Sequence, residues 1–309
     1  MTDTGSKGHV RLLADDLTGA LDSGAKFWRR FGAISVCFDS ESPTRQASLA
    51  LDCGTRDASA ETARLRNTAL ADFYFGADVA MRKVDTLMRG HTFEEVSLNY
   101  RLGNFRSGIF APAFPEQERI TRDGRQWSRQ NSTFVDVSGS LTERFRAAGL
   151  TPVVAASPEE ITGEGFFICD AATKAELESI VTAGKSLQGP VLWCGAAGLA
   201  EALGGGASTE AIPQGPSLTI VGSFHQRSCE QLAMLGKAFP LSTTIANSTE
   251  DPVRLTFANG GAVLGFDIQD CPAPDIPGII HQIINSHLAA MPSPPGYLGS
   301  VPVRGRIVR

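Results

Sequence analysis

Charged residues in this chain gather in four short motifs, each placed after an apolar run. The first is Ala14-Asp15-Asp16-Leu17-Thr18-Gly19-Ala20. Two adjacent carboxylates at a strand end, ahead of Thr-Gly and a helix, can orient the hydroxyls of a polyol or accept a proton. Asp16 or Thr18 can equally serve as the cap of that helix. The second motif is Asp52-Cys53-Gly54-Thr55-Arg56-Asp57. The planar guanidinium of Arg56 suits bidentate recognition of a carboxylate, and a loop salt bridge to Asp52 or Asp57 is the alternative. The third runs from Arg82 to His91. Lys83 and Asp85 stand two apart and are expected on one face of a strand. Arg89 and Gly90 follow in a turn that opens a helix, a favourable place for an anion; a solvated charge run is the plainer reading. The fourth, Phe110 to Arg119, holds Pro112 and Pro115, which stiffen a loop able to present Gln117 and Arg119.

A fifth segment, Ile220-Val221-Gly222-Ser223-Phe224-His225-Gln226-Arg227-Ser228, ends a strand in exposed amides and hydroxyls. Gly222, Ser223 and Ser228 there suit a phosphate, although a plain strand-to-helix turn has the same composition. The fingerprints GxGxxG and GxxxxGK[ST] are absent, which sets a Rossmann-type oxidoreductase aside. His91 and His225 can move protons, but a lone histidine beside a turn is more often a structural hydrogen-bonder.

Strand-like and helix-like segments alternate around these motifs. HVRLLADD, AISVCFDS, ASLALDCG, DVAMRKVD and RSGIFAPA read as strands. Helical patterns follow in LTGALDSGAKFWRRFG, ASAETARLRNTALADF and FEEVSLNYRLG. ITRDGRQWSRQNSTF is polar and is expected as a loop or hairpin; TPVVAA, GFFICD and GPVLWCG are further buried strands, with Trp193 inside the last. TKAELESIVTAGKSL is a well-capped helix. This alternation predicts an α/β fold of mostly parallel sheets with flanking helices, whose ligands bind beyond the carboxyl ends of the strands. The Gly/Ser/Pro-rich stretch near Gly204–Gly206 marks a boundary. The expected organisation is a first domain over 1–205, a linker over 206–216, and a second domain over 217–309 that looks incomplete for this architecture.

The chain has 309 residues, 42% hydrophobic and 20% charged, enough for a core without staples. Its net charge, 28 − 33 = −5, argues against nucleic acid as a bulk electrostatic partner while allowing a local cationic cluster to hold a small anion. Cys37, Cys53, Cys169, Cys194, Cys229 and Cys271 form no CxxC pair or zinc spacing and are expected as reduced thiols. No signal peptide and no membrane-spanning run is legible, so a cytoplasmic protein without membrane contact is expected; a homo-oligomer is compatible with the sequence.

Taken together, ADDLTGALD, the Arg56 loop, KVDTLMRGH, APAFPEQER, ICDAATKAEL and CGAAGLAEAL stand in the order seen in the four-carbon acid sugar kinases, and over about residues 10 to 235 the chain resembles that family. The resemblance implies ATP-dependent phosphorylation of erythronate, threonate or 3-oxo-tetronate, with ATP and Mg²⁺ as cofactors. It places Asp15, Asp16, Arg56, Lys83, Asp85 and Arg89 at substrate-binding positions, with Asp16 and Asp85 as the candidate catalytic carboxylates. Gly222, Ser223 and Ser228 would belong to its nucleotide domain. The chain departs from the family at Thr86-Leu87-Met88, where Ser-Thr-Leu is usual, at Glu118 in place of glycine, and at His225 in place of a second serine. The later Gly-Gly-Asp/Glu-Thr motif is not found, so the alternative is a truncated member that binds an acid sugar without transferring phosphate.

Overall fold

The computed structural model describes residues 8–37 and 48–205, the backbone of four later strands over 217–221, 244–246, 261–266 and 307–308, and the isolated residues Glu230 and Met234. The chain divides into two units, 1–209 and 210–309.

Short apolar runs, buried on both sides except in the two edge strands, build the first unit's sheet, as expected of parallel strands covered by helices on each face. These are β1 (Val10–Ala14), β2 (Ser35–Cys37), β3 (Leu49–Asp52), β4 (Val79–Lys83), β5 (Ser107–Ala111), β9 (Pro152–Ala155), β10 (Gly165–Cys169) and β11 (Val191–Gly195). They form one eight-stranded sheet in the order β2-β3-β1-β4-β11-β5-β10-β9, with every pairing parallel. Side chains alternate between two cores. Leu12, Ala14, Met81 and Trp193 join the cluster of α1 (Leu17–Ala25), α6 (Lys174–Lys185) and α7 (Ala197–Gly204). Leu13, Ala80 and Leu192 point the other way, into the cluster of α4 (Thr92–Leu102) and α5 (Leu141–Ala147). Helix α3 (Ala60–Ala69) packs beside α4. Ser59 and Ser140 cap α3 and α5, and Thr173 with Glu176 forms a full capping box on α6, the helix whose caps the sequence suggests.

Between β5 and α5 the polar stretch expected as a loop or hairpin is a three-stranded antiparallel sheet, β6 (Arg119–Arg122), β7 (Arg125–Gln130) and β8 (Thr133–Asp136). It is anchored by polar groups: Thr121 bridges to Ala171, and Asp170 accepts from the Asp123 and Gly124 amides. The expected strand around Val36 is described only over Ser35–Cys37.

In the second unit, β12 (Ser217–Val221), β13 (Thr244–Ala246), β14 (Gly261–Phe266) and β15 (Ile307–Val308) form a parallel sheet in the order β13-β14-β12-β15. Gly222, Ser223, His225 and Ser228 lie outside the described residues, as do the linker and the later helix expected from PGIIHQIINSHLAAM.

Candidate functional site

The chain leaves β1 for α1 on one face of the sheet and leaves the adjacent β4 for α4 on the other. Divergence of neighbouring strands in this way opens a crevice at their carboxyl ends, the usual ligand position in such sheets. The motif residues after β1, β3 and β4 meet there.

Arg56 is the centre of the cluster. Its Nε and Nη2 donate to Asp15 Oδ2 and Oδ1 at 2.8 and 2.9 Å, and its Nη1 donates to Asp16 Oδ2 at 2.8 Å. Asp85 Oδ1 lies 3.6 Å from the same Nη1. The backbone repeats the connection, because the Thr55 and Arg56 amides both donate to Asp15 O. The surface pair with Asp52 or Asp57 is thus not what forms. Although burial disfavours a charged guanidinium, Asp15, Asp85 and Asp16 raise the Arg56 pKa above its ordinary value.

Asp16 is the helix cap its position allowed, accepting from Gly19 N at 2.8 Å through Oδ1, and it also holds Arg56 through Oδ2. Gly19 is required there. A Cβ at this position would meet Asp16 Oδ1 at 2.7 Å and Lys83 Cγ at 3.1 Å. Lys83 is buried against this turn and donates to Val84 O at 2.9 Å. Burial lowers its pKa, with Asp15 the strongest opposing influence.

The strand reading of Asp85 needs correction. β4 ends at Lys83, and Asp85 lies in a turn whose Leu87 and Arg89 amides donate to its Oδ2 at 3.1 and 3.2 Å. The same carboxylate takes two bonds from the Arg89 side chain, at 3.0 and 2.8 Å. Burial pushes the Asp85 pKa up, but hydrogen bonds from Arg89 and the charge of Arg56 outweigh it and hold the group at about 2. Arg89 is the open member of the cluster, its side chain 61% exposed against 7% for Asp85 and 13% for Arg56. Gly90, in the left-handed region, brings this turn against the Arg56 loop; a Cβ there would stand 3.1 Å from Arg56 O.

Arg119 Nη1 donates to Gln117 O and Oε1, so the two candidates of the fourth motif bond one another. His91 bonds Ala58 O at 2.7 Å through Nε2, a structural contact between the second and third motifs. Two groups escaped sequence reasoning. Gln126, fully buried on β7, donates to both Thr86 O and Pro112 O at 3.3 Å and so ties the Asp85 turn to the end of β5. Arg82, buried on the face of β4 opposite Lys83, pairs with Glu95 of α4 at 2.5 Å. A charge inside an otherwise apolar strand is the signal that marks it.

A cavity of about 560 Å³ lies at the other end of the strands, lined by Tyr74, Phe75, Phe105, Leu187 and Trp193 among others, and contains none of these residues. Among the described residues no group of three or more His, Cys, Asp or Glu is arranged to hold a metal ion. Cys37, Cys53, Cys169 and Cys194 are free thiols. No described helix is long and apolar enough to cross a membrane.

The first unit is thus built on an all-parallel α/β sheet with carboxylates and guanidinia interlocked at its switch point. Residues 10–139 match the family model described as a sugar-binding N-terminal domain. The chain is 28% identical over 264 residues to a D-threonate kinase of Cupriavidus necator, covering 72% of this chain and 62% of that one. It is 24% identical over 253 residues to a D-threonate kinase of Salmonella typhimurium, covering 72% and 59%. The chain therefore spans about three-fifths of the length of these curated relatives. A solved protein of Salmonella typhimurium LT2 shares the fold with a TM-score of 0.65 at 15% identity, over 90% of this chain and 78% of that one. These likenesses agree with the resemblance to the four-carbon acid sugar kinases that the motifs carry.

Proposed function

We propose that the first unit is the acceptor-binding half of an ATP-dependent kinase for a four-carbon acid sugar of the threonate, erythronate or 3-oxo-tetronate type. The observation that carries this reading is the interlocked cluster Asp15–Arg56–Asp16 beside Asp85–Arg89 at the switch point. Vicinal hydroxyls are matched by oriented carboxylates, and a sugar carboxylate by an exposed guanidinium. Arg56 is committed to Asp15 and Asp16, so it acts as a strut, and Arg89 is the group that meets the substrate carboxylate. Lys83 adds buried positive charge behind the carboxylates.

Of the two candidate catalytic carboxylates, Asp85 at about 2 is a weak proton acceptor and serves to orient. Asp16, more open than Asp15, takes the hydrogen of the attacking hydroxyl. Phosphoryl transfer asks mainly for such positioning and charge placement. ATP supplies the phosphoryl group and Mg²⁺ its charge compensation. Gly222, Ser223 and Ser228, proposed for the nucleotide, lie outside the described residues, so the chemistry derived above is that of the acceptor alone.

The test is to give the full chain ATP-Mg²⁺ with a panel of four-carbon acid sugars and follow ADP release and calorimetric binding together. Turnover with D-threonate or a close isomer is expected, and Asp16→Asn should lower kcat by about 10²-fold or more with KM little changed. An Asp16→Asn enzyme at full rate would remove Asp16 as base. Binding without turnover would select the second reading, a sugar-acid binder without transferase activity, which His225 in place of the usual serine favours. No binding to any member of the panel overturns both.

A further inference from the structure

We propose that the buried Arg82–Glu95 pair, together with Asn67, is a positioning device that holds the Arg56 loop in register, rather than a contribution to stability. The inference rests on the reading of Arg56 as the strut of the acceptor site. Arg82 and Glu95 are almost wholly buried, at 1% and 3% exposure. Arg82 Nη2 donates to Glu95 Oε2, and its Nη1 donates to Asn67 Oδ1 at 3.2 Å and reaches Cys53 Sγ at 3.6 Å. Asn67 donates to Glu95 Oε1 at 2.9 Å and to Ala63 O at 2.8 Å, and accepts from Asn99 at 3.1 Å. Strand β4, helix α3 and helix α4 are thereby locked to one another at side-chain resolution.

The lock ends on the loop that carries Arg56. Cys53 Sγ donates to Ala14 O at 2.9 Å and lies 3.2 Å from Thr55 Oγ1. The amides of Thr55 and Arg56 both bond Asp15 O. Arg66, the neighbour of Asn67 on α3, grips the same loop from outside through Cys53 O and Gly54 O at 3.0 and 2.8 Å. Arg66 thus holds the loop directly, and Asn67 beside it reaches the loop through Arg82. A buried ion pair is commonly no more stabilising than apolar residues of similar volume, whereas it does fix relative placement. Directional bonds that converge on Cys53 are what placement of Arg56 between two carboxylates calls for.

The experiment replaces the pair by apolar residues, Arg82→Met with Glu95→Leu, in the full chain. Asn67 keeps its bonds to Ala63 and Asn99 in this variant, so no buried amide is orphaned. The expected result is an unfolding midpoint equal to or above wild type. Amide exchange at Thr55 and Arg56 should nevertheless be faster by about tenfold, and affinity for D-threonate weaker by about tenfold. Should the double variant not fold, the isosteric Glu95→Gln, which lowers global stability by leaving Arg82 without its counter-charge, is expected to accelerate the Thr55 and Arg56 amides about tenfold more than the amides of α3 and α4. Unchanged exchange at Thr55 and Arg56, or uniform acceleration through α3 and α4, overturns the proposal. A wild-type protein that binds no acid sugar would overturn the functional reading instead, because the exchange measurement needs no ligand.

Discussion

Replacing Arg56 by Met removes the partner of two carboxylates at once. Asp15 is 3% exposed and both its oxygens are bonded by Arg56; Asp16 loses its Oδ2 contact with the same guanidinium. Leaving a buried charge without its partner costs about 3–5 kcal/mol. For a unit of some 200 residues each kcal/mol moves the midpoint by about 2–4 °C, so the midpoint should fall by about 6–20 °C. The assay is convenient because the chain's three tryptophans, Trp28, Trp127 and Trp193, all lie in the first unit, and their fluorescence reports its unfolding alone. Arg56→Lys keeps the charge but cannot span Asp15 bidentately, and should fall between Met and wild type. A midpoint for Arg56→Met within about 2 °C of wild type would contradict the magnitude reasoning and reduce Arg56 to an ordinary surface pair.

Asp85 predicts a pH dependence. Its folded pKa of about 2 is below the ordinary 3.8, so its contribution is complete above the ordinary value and is lost as pH falls toward 2. The stability advantage of wild type over Asp85→Asn should therefore shrink by roughly 2 kcal/mol between about pH 5 and pH 2 in urea titrations, and a constant difference would refute it. Glu118 adopts φ 56° and ψ 40°, a left-handed conformation that costs a β-carbon-bearing residue about 1–2 kcal/mol. Its ion pair with Arg129 is half exposed and worth little. Glu118→Gly should raise the midpoint by about 1–3 °C after the entropy cost of glycine, and a fall would show that Arg129 matters more than backbone strain.

Strands buried on both faces were legible because their apolar runs are uninterrupted: VRLLA, GFFIC and VLWCG each read as one element and form one. The capped helix Lys174–Lys185 was legible for a local reason too, since Thr173 and Glu176 satisfy its first amides within four residues. The β6–β8 sheet was legible only as a loop or hairpin, because its Arg, Gln, Ser and Thr side chains lack a clean apolar alternation and its anchors, Ala171 and Asp170, are distant in sequence. Local spacing also suggested Asp52 or Asp57 as the partner of Arg56; the true partners lie some forty residues upstream. Glycine at position 118 in the family is explained by the backbone there, a demand that sequence alone expressed only as a departure. Arg82 looked like part of a charge run and is a core residue, because its counter-charge arrives on α4.

The place of β11 has a consequence for how this protein is made and cut. Val191–Gly195 is the last strand of its sheet to leave the ribosome, yet it lies between β4 and β5. Until it arrives, β2-β3-β1-β4 and β5-β10-β9 are separate half-sheets with facing edges unpaired. The segment matched by the family model, residues 10–139, contains of this sheet only the first half-sheet and β5. Expressed by itself, that segment would present the inner edges of β4 and β5 to solvent and to other chains. The bounds of the family match and of the folding unit do not coincide here, and a fragment meant to carry the proposed acceptor site must run past α7.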